Sequence, residues 1–569
     1  MTRRTIGGMD LRSAWLILIA CSAVSMVVAA MAALNTALPQ IAIHTGADAG
    51  QMTWIIDGYT LTLAALLLPA GAVGDRVGRR GVLIAGLILF AVASLVAIWV
   101  SGPTELIATR CLAGAAAALI MPTTLSLITS GVPAERRPIA ISIWAAVAGA
   151  GAIAGFFVTG LLLEFFSWHS IFITFAISAT LTALLCLTIG TSKDRDPDPF
   201  DFPGSITSVV AVTGVVLGLL EAPHRGWDDP LVLVALIGGA LCGVLFCVIE
   251  LRRPHKLLDV RLFTNRAFGA GALSVALQFF ASFAVFYLYL QRLQLVFGFT
   301  ALQSALALMP MVAGTVTFGL LGNWLAVRFH SLRFVLGGGI LIAGIGMVLL
   351  GVVDYDVYWQ SVWMIAICAT GIGIATAPST TAIMSNTPLD NQGVGSAVND
   401  TARELGAAIG IALAGSILAA GYSSRITGTA DLARDQLTAA GEQRIAAGDV
   451  AGGQALIDGA DQVAGGISKS LAEATEVIAR LPAEAAPLAA RLADGAQQAF
   501  VHPMNQACVV LGSVLIVGAV VLFWFTPRRV VDVLPGLDDG DDQTGDQTGD
   551  QTGDETPRES DPAGDHALD

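Results

Sequence analysis

The stretch GDRVGRR, residues 74–80, separates two apolar blocks and decides how the rest of the chain is interpreted. The flanking blocks, residues 52–73 and 81–100, carry no charge except Asp57. The glycines of the stretch permit a tight turn, and Asp75 can cap a helix N-terminus, where the helix dipole favours a carboxylate. Its arginines are residues that accumulate at one face of a membrane. The pattern predicts two membrane-spanning helices joined by a short turn, which we call the basic turn.

The composition indicates the same architecture for the whole chain. Of its 569 residues, 55% are hydrophobic and 13% are charged, whereas soluble domains carry roughly 25% charged residues. The apolar residues form blocks of about twenty, the length that crosses a hydrocarbon core about 30 Å thick. Backbone groups inside lipid must bond within their own segment, so the blocks must be helices. A soluble globular protein is excluded, and the alternating segments that a β-barrel needs do not occur.

We predict an all-α protein with fourteen membrane-spanning helices. The spans cover residues 14–38, 52–73, 81–100, 104–127, 139–163, 168–190, 205–222, 230–250, 268–290, 301–322, 334–353, 359–383, 394–419 and 505–526. Basic residues concentrate in alternate short loops, which by the positive-inside rule face the cytoplasm. They are Arg76, Arg79, Arg80, Arg136, Arg137, Lys193, Arg195, Arg252, Arg253, Lys256, Arg328, Arg333, Arg528 and Arg529, while the opposite short loops hold Arg225 and Arg292. Both termini are therefore expected in the cytoplasm.

Two segments interrupt this pattern. Residues 420–503 form a long loop on the non-cytoplasmic side, where apolar residues at helical spacing predict helices over 466–480 and 483–500. We expect a small helical cap with a structural role, and the alternatives are gating or partner docking. Residues 527–569 form a cytoplasmic tail that holds, from Asp538 onward, twelve acidic residues and one basic residue of a chain with net charge −14. Such a tail buries too little apolar surface to fold, so we expect disorder.

Further stretches accompany the basic turn. They are NTALP at 35–39, WIIDGYTL at 54–61, Arg110 with Gly114 and Pro122, LLEAPHRGW around Glu221, LQLVFGFTALQSAL from Leu293 and NDTARELG from Asn399. With the basic turn between spans two and three, these stretches resemble the major facilitator superfamily. Within that family they are similar to the branch of fourteen-helix drug/proton antiporters, and the resemblance extends over residues 14–526.

The resemblance implies a major facilitator fold of two six-helix bundles with two inserted helices. The N-terminal bundle would cover residues 1–190, the inserted pair 205–250 and the C-terminal bundle 268–526. A small molecule would bind in a central cavity that opens to each side of the lipid bilayer in turn. The resemblance also implies a plasma-membrane monomer that is driven by the proton gradient, with no cofactor, metal or nucleic-acid partner. Residues 322–328 match the basic turn in part and have Val327 in place of the acid. We call them the partial repeat of the basic turn.

Charged residues inside spans are costly, so they usually face a cavity or a partner. By the resemblance, Asp57 in span two and Arg110 in span four belong to family motifs, and Arg110 influences proton movement through a nearby carboxylate. A contact between these two side chains is one expectation. A purely structural buried pair is the alternative.

A second group of charges lies in span thirteen. Asp400 and Glu404 are four residues apart and therefore share a helix face. Two carboxylates in a low dielectric suit reversible proton binding, and Arg403 can neutralise one of them. We predict Glu404, and with it Asp400, as a site for protons or a cationic substrate. The alternative is that Asp400 lies close enough to the cytoplasmic end to be hydrated.

Other side chains are weaker candidates. Glu164, Glu221 and Glu250 stand at the ends of spans five, seven and eight, and we expect them at the membrane interface. Span nine carries an aromatic stripe that either stacks on a planar or cationic substrate or packs against lipid and neighbouring helices. The stripe consists of Phe279, Phe280, Phe283, Phe286 and Tyr287, followed by Gln291.

Span five departs from the antiporter pattern implied by the resemblance. It keeps Gly151, Gly155 and Gly160, which permit close packing of helices. It has Phe156 in place of the motif's proline and Thr159 in place of a glycine. The kink that a proline would favour is therefore not forced.

The acid that the branch usually carries in span one falls at Ala30. Its absence shifts proton transfer to Glu404, Asp400 or Asp57, or weakens the case for proton coupling. The leading hypothesis remains a proton-driven exporter of small amphipathic or cationic compounds. The alternatives are export of a lipid or endogenous metabolite, and a transporter-like receptor or scaffold. A Walker-type GxxxxGK[ST] stretch is absent from the sequence, and no nucleophile–base or metal constellation suggests an enzyme.

Overall fold

The computed structural model describes residues 5–6, 9–190, 192, 199–329, 331–481 and 485–527. The predicted disordered tail, apart from its first residue, lies outside the described residues. Within them the chain is helical, and the β structure is a pairing of Thr5–Ile6 with Met9–Asp10.

Seventeen α-helices make up the described part of the chain. They are α1 (Leu11–Thr45), α2 (Ala49–Val77), α3 (Arg79–Ile98), α4 (Pro103–Gly131), α5 (Arg137–Phe165), α6 (His169–Cys186), α7 (Phe202–Arg225), α8 (Pro230–Arg252), α9 (Arg266–Gln291), α10 (Ala301–Ala307), α11 (Met309–Arg328), α12 (Leu332–Val352), α13 (Tyr358–Ser385), α14 (Gln392–Ala446), α15 (Val450–Lys469), α16 (Leu471–Ala479) and α17 (Ala486–Phe525). Fourteen segments are long and apolar enough to cross a membrane, with α10 and α11 counted as one and α15 and α16 excluded. The all-α prediction with fourteen spans is confirmed.

Local sequence explains where several helices begin. Asp48 and Gln51 form a reciprocal capping box at the start of α2, which satisfies N–H groups that have no partner within the helix. Asp229 accepts a hydrogen bond from the N–H of Leu231 and is followed by Pro230, whose fixed φ suits a first helical position. At the end of α1, Gly46 adopts the left-handed conformation (φ 68°) that ends a helix with little strain.

The helices pack as two groups and a pair. Helices α1–α6 pack mainly on one another around one apolar core, while α9–α14 and α17 surround a second core. Helices α7 and α8 pack on each other, and α7 also lies against α2 and α14. We call the end of the molecule that holds the basic turn the loop end, and the opposite end the cap end.

The cap differs from its prediction. Helix α14 continues without a break to Ala446, and α15 packs along it, with the Tyr422 hydroxyl donating to the Ile467 carbonyl at 2.9 Å. The single helix predicted over 466–480 is wrong, because Ser470 is extended and its hydroxyl caps α16. Residues 486–500 are the first part of α17. Since α15 and α16 share the second apolar core, the cap is an extension of the α9–α17 group.

Arg292 was predicted in a short loop, but the structure buries it at the cap end. Its guanidinium donates to the Tyr355 carbonyl at 2.7 Å and to the Asn505 side chain at 3.2 Å. It also lies 3.6 Å from the Tyr355 ring. Arg292 therefore joins α9, the connection between α12 and α13, and α17, rather than marking a membrane face.

Candidate functional site

The basic turn closes the loop end by reaching across to the other helix group. Asp75 lies in the last turn of α2, and its carboxylate accepts the backbone N–H groups of Gly393 at 2.8 Å and Val394 at 3.1 Å. These N–H groups belong to the first turn of α14, where a carboxylate is favoured by both hydrogen bonding and the helix dipole. Asp75 therefore caps a helix N-terminus, as predicted, but the helix is α14 rather than a neighbour in sequence.

Arg79 strengthens the same closure. It forms a buried ion pair with Asp75 at 2.7 Å and donates to the carbonyl of Leu389 at 3.0 Å. Gly71 of α2 touches the backbone of Gly393, so that a Cβ on either residue would overlap the other helix. The two helix groups are thus held together at the loop end by charge-assisted bonds and close backbone contact.

The other members of the basic turn serve the N-terminal group. Gly78 separates α2 from α3 with φ 122°, a conformation that other residues rarely adopt, and Gly74 packs closely against Thr123. Arg76 donates to the Ala72 carbonyl and lies over the Phe200 ring. Arg80 donates to the carbonyl of Leu187 after α6.

The partial repeat of the basic turn, residues 322–328, also joins the two helix groups at the loop end, but without an acidic residue. Asn323 of α11 donates to the Pro138 carbonyl at 2.9 Å and to the Ser142 hydroxyl at 3.0 Å, both in α5. Val327, in the acid's place, is exposed. An uncharged amide thus links α11 to α5, whereas the Asp75 carboxylate links α2 to the backbone N–H groups of α14.

The charged group of span thirteen lies inside the closed molecule. At 1.5 Å per residue, Asp400 and Glu404 lie about 12 Å and about 18 Å into α14, and both are buried. The alternative of a hydrated Asp400 is therefore wrong. Arg403 donates to Asp400 Oδ1 at 3.4 Å, and Asn399 donates to the same oxygen at 3.2 Å.

Arg403 also stands between the two helix groups. Its guanidinium lies 4.4 Å from the Phe279 ring of α9 and 5.4 Å from the Trp144 ring of α5. Such stacking holds a cation without a second carboxylate. Among the described residues, Asp400 Oδ2 and Glu404 Oε2 have no hydrogen-bond partner. Buried carboxylate oxygens of this kind can accept a proton or a cation.

Arg110 and Asp57 do not pair with each other. Arg110 is buried and donates to the carbonyls of Ile55 at 3.1 Å and Ala30 at 3.0 Å, with its guanidinium 4.4 Å from the Tyr59 ring. Among the ion pairs of the described residues, none joins Arg110 to Asp57. The expected contact is not formed because α2 presents a carbonyl and a ring to Arg110.

Asp57 lies on α2 toward the cap end, half-buried and within electrostatic range of Glu221 on α7. Glu221 is itself paired with Arg225 at 2.7 Å. These carboxylates are separate from the Asp400–Glu404 group. The four predicted site residues thus fall at three places, with Asp400 and Glu404 on α14, Arg110 on α4, and Asp57 beside α7.

The aromatic stripe of α9 contributes to the interior at two points. Phe279 stacks on Arg403, and Phe286 lies 5.4 Å from the ring of Phe156 on α5. Phe280 is buried in the second apolar core. The Phe156–Phe286 contact joins the two helix groups toward the cap end, so the phenylalanine that stands in place of the motif's proline makes a cross-group contact.

The glycines of α5 divide into two kinds. A Cβ on Gly155 would overlap the backbone of Ala29 in α1, and one on Gly151 would crowd Ser25 and Val28. A Cβ on Gly160 would lie 3.9 Å from the Leu302 side chain of α10, an ordinary van der Waals contact. Beside Gly155, a groove of about 220 Å³ opens between α1, α5 and α6.

Replacing Gly155 with leucine should force α1 and α5 apart. Overpacking of a close contact costs about 1–3 kcal/mol, so the purified protein should unfold at a clearly lower temperature. Gly160→Leu is the matched control, and its unfolding temperature should change little. Equal losses in the two variants would show that Gly155 has no special packing role.

The three acidic residues at span ends differ in exposure. Glu164 is exposed and Glu221 is half-buried in an ion pair, whereas Glu250 is fully buried within the protein at the end of α8. Their position at the membrane interface stays a prediction. The signal that sequence reasoning missed was Asp201, which precedes α7 and folds against Glu250.

Comparison with known proteins agrees with this architecture. The profile of the Major Facilitator Superfamily matches residues 19–411. Methyl viologen resistance protein SmvA of Salmonella typhimurium is 30% identical over 436 residues, covering 75% of this chain and 88% of that protein. The multidrug efflux pump LfrA of Mycolicibacterium smegmatis is 33% identical over 417 residues, covering 72% of this chain and 81% of the pump.

A solved structure shows the same fold. The human organic anion transporter MFSD10 (TETRAN) superposes with a TM-score of 0.52 at 15% identity, covering 72% of this chain and 94% of that one. At this identity the likeness concerns the fold alone. The profile match and the two relatives confirm the predicted family: this chain is a multi-pass membrane protein that belongs to the Major Facilitator Superfamily of transporters.

Proposed function

We propose that this protein exports small amphipathic or cationic compounds across the cell membrane in exchange for protons. The names of the two relatives support efflux, since they describe methyl viologen resistance and multidrug efflux. Methyl viologen is an organic dication, a chemistry that a buried carboxylate would bind. Proton coupling is argued from the site itself.

The observation that carries the proposal is the Asp400–Arg403–Glu404 group. Arg403 bonds Asp400 and is held by rings from both helix groups, while Glu404 Oε2 is buried without a partner. A buried carboxylate in this state is stabilised by a proton or by a cationic ligand, and the two exclude each other. Because the proton and the cationic substrate compete for the same carboxylate, each must leave before the other binds. Transport of the substrate then becomes an exchange for protons.

The closures at the two ends support alternating access. The loop end is held by Asp75 and Arg79 against α14, and the Phe156–Phe286 contact joins the groups toward the cap end. Opening one closure while the other holds would expose the α14 carboxylates to one side at a time. In this cycle Arg110 positions α2 and α4 by holding the Ile55 carbonyl.

We propose that the loop end faces the cytoplasm and that the protein acts as a monomer. Basic residues at the loop end include Arg76, Arg80, Arg136 and Arg253, as the positive-inside rule requires of a cytoplasmic face. Both termini would then lie in the cytoplasm. A membrane-impermeant thiol reagent tests this, since a cysteine at Glu135 should be labelled only from the cytoplasmic side.

Inside-out membrane vesicles containing the protein test the proposed exchange. An acidic lumen should drive accumulation of an organic cation such as ethidium, because protons leaving the lumen exchange for it. A protonophore should abolish this accumulation, and vesicles without the protein should show none. Accumulation that persists with the protonophore present would contradict proton exchange.

A further inference from the structure

A second pair of carboxylates lies at the loop end, away from the α14 group. Asp201 precedes α7 and Glu250 stands near the end of α8, and both side chains are buried, with 2% and 0% exposure. Glu250 accepts the backbone N–H of Leu257 at 3.3 Å and of Leu258 at 3.4 Å. It thereby fastens the connector between α8 and α9, residues 253–265, to the end of α8.

The two carboxylates face each other. Asp201 Oδ1 accepts from Arg253 at 3.1 Å, but Asp201 Oδ2 is buried and has no donor. The Asp201 side chain lies within hydrogen-bond reach of Glu250, and Asp201 Oδ2 and Glu250 Oε1 both fill the space over Gly204, where a Cβ would overlap them. Two carboxylate oxygens can share a hydrogen bond only when one of them carries a proton.

The surrounding charges do not neutralise both groups. Arg253 touches the pair through Asp201 alone, and Lys256 is paired with Asp259 at 3.1 Å. Further titratable and charged groups on these elements include Arg252 on α8, His255 and Arg261 on the connector, and Asp75 and Arg76 on α2, with Arg76 over the Phe200 ring next to Asp201. Among the described residues, the ion pair of Arg253 with Asp201 is the cation contact of the pair, which leaves one negative charge buried.

We propose that Asp201 and Glu250 share one proton and that this proton holds the connector closed at the loop end. The ligand is a proton because the site offers two facing carboxylates, and the part of the chain that the structure describes places no third His, Cys, Asp or Glu beside them to form a metal site. When the proton leaves, the like charges repel and displace the Glu250 side chain from Asp201. This displacement breaks its bonds to the Leu257 and Leu258 N–H groups, although the ionised carboxylate is the stronger acceptor. This inference does not depend on drug export or on the α14 carboxylates.

The connector links this proton to the closure between the helix groups. Leu257 and Lys256 line a polar cavity of about 240 Å³ whose other walls include Asp75 of the basic turn and Asn391 before α14. If the connector loosened, the side of the cavity formed by Lys256 and Leu257 would open next to Asp75, which caps α14. The pair is thus a proton-binding site placed to bias the loop-end closure.

The protein in lipid nanodiscs allows the proton to be observed directly. Glu250→Gln mimics the protonated pair, because its amide can donate to Asp201 while its oxygen still accepts from Leu257. Infrared difference spectra recorded across a pH step should show the C=O band of a buried protonated carboxyl in the wild type. Because the α14 carboxylates also absorb in this region, the contribution of the pair is the part of the band that is lost in Glu250→Gln. Glu135→Gln, which removes an exposed carboxylate at the same end, should keep the whole wild-type band.

Hydrogen exchange of the connector tests its release. At about pH 8.5 the Leu257 and Leu258 amides should exchange roughly tenfold faster in the wild type than in Glu250→Gln, and at about pH 6 the two should agree. Comparison at equal pH removes the intrinsic effect of pH on exchange. Asp201→Asn, which can also donate to its partner, should behave like Glu250→Gln.

Three results would overturn the proposal. One is a carboxyl band that is the same in the wild type and in Glu250→Gln. Another is equal exchange of wild type and both variants at every pH from about 6 to about 9. The third is protection of the connector by sodium ions rather than by low pH, because the site would then bind a metal cation.

Discussion

Glu404→Gln should abolish accumulation driven by the pH gradient while leaving the protein folded. Glutamine keeps the size of the side chain and cannot exchange a proton, so a proton gradient would have no carboxylate through which to act. The measurement is ethidium accumulation in inside-out vesicles with an acidic lumen, where the variant should fall to the level of vesicles without the protein.

Glu164→Gln is the matched control for this variant. It removes an exposed carboxylate at the end of α5 and should leave accumulation unchanged. If Glu404→Gln accumulates substrate with the wild-type pH dependence, the α14 site does not couple protons to transport. Loss of accumulation in both variants would indicate a general effect of removing acidic residues.

Asp75→Asn should slow transport by at least roughly tenfold, because it weakens the closure at the loop end. Removing one partner of a buried ion pair costs about 3–5 kcal/mol, and every 1.4 kcal/mol changes an equilibrium about tenfold. The variant leaves Arg79 without its carboxylate and turns an amide N–H toward the first turn of α14. The closed population should fall, and a cysteine placed at the buried Thr387 should be alkylated faster than in the wild type.

Asp259→Asn serves as the control for Asp75→Asn. Its carboxylate is partly exposed and paired with Lys256, and such pairs contribute about 0–1 kcal/mol. Transport and alkylation should therefore stay close to wild type. An Asp75→Asn variant that transports at the normal rate would show that capping α14 does not limit the cycle.

The fold was largely predictable because the membrane imposes strong rules on sequence. The basic turn between two uncharged blocks, repeated alternation of basic loops, and blocks of spanning length leave few architectures open. The prediction failed where the chain leaves the membrane. Nothing in the periodicity of residues 466–480 shows that Ser470 will cap a new helix instead of continuing the old one.

For the candidate site, the sequence predicted which charges lie on one helix but not their partners. The spacing of Asp400 and Glu404 placed them on one face of a helix, because helix geometry fixes such neighbours. The partners of Asp75 and Asn323 lie on distant helices, and pairings between residues far apart in sequence depend on packing that one sequence does not reveal. The same reason explains why the burial of Glu250 was not predicted and why the expected Asp57–Arg110 contact is wrong.

The most direct test of the central claim is the proton flux that substrate movement itself produces. Purified protein in liposomes that contain a pH-sensitive dye is given an outward gradient of ethidium and no pH gradient. We expect the lumen to acidify as ethidium leaves. Glu404→Gln should show neither ethidium efflux nor acidification of the lumen, and Glu164→Gln should show both. Ethidium efflux without any change in luminal pH would contradict proton exchange.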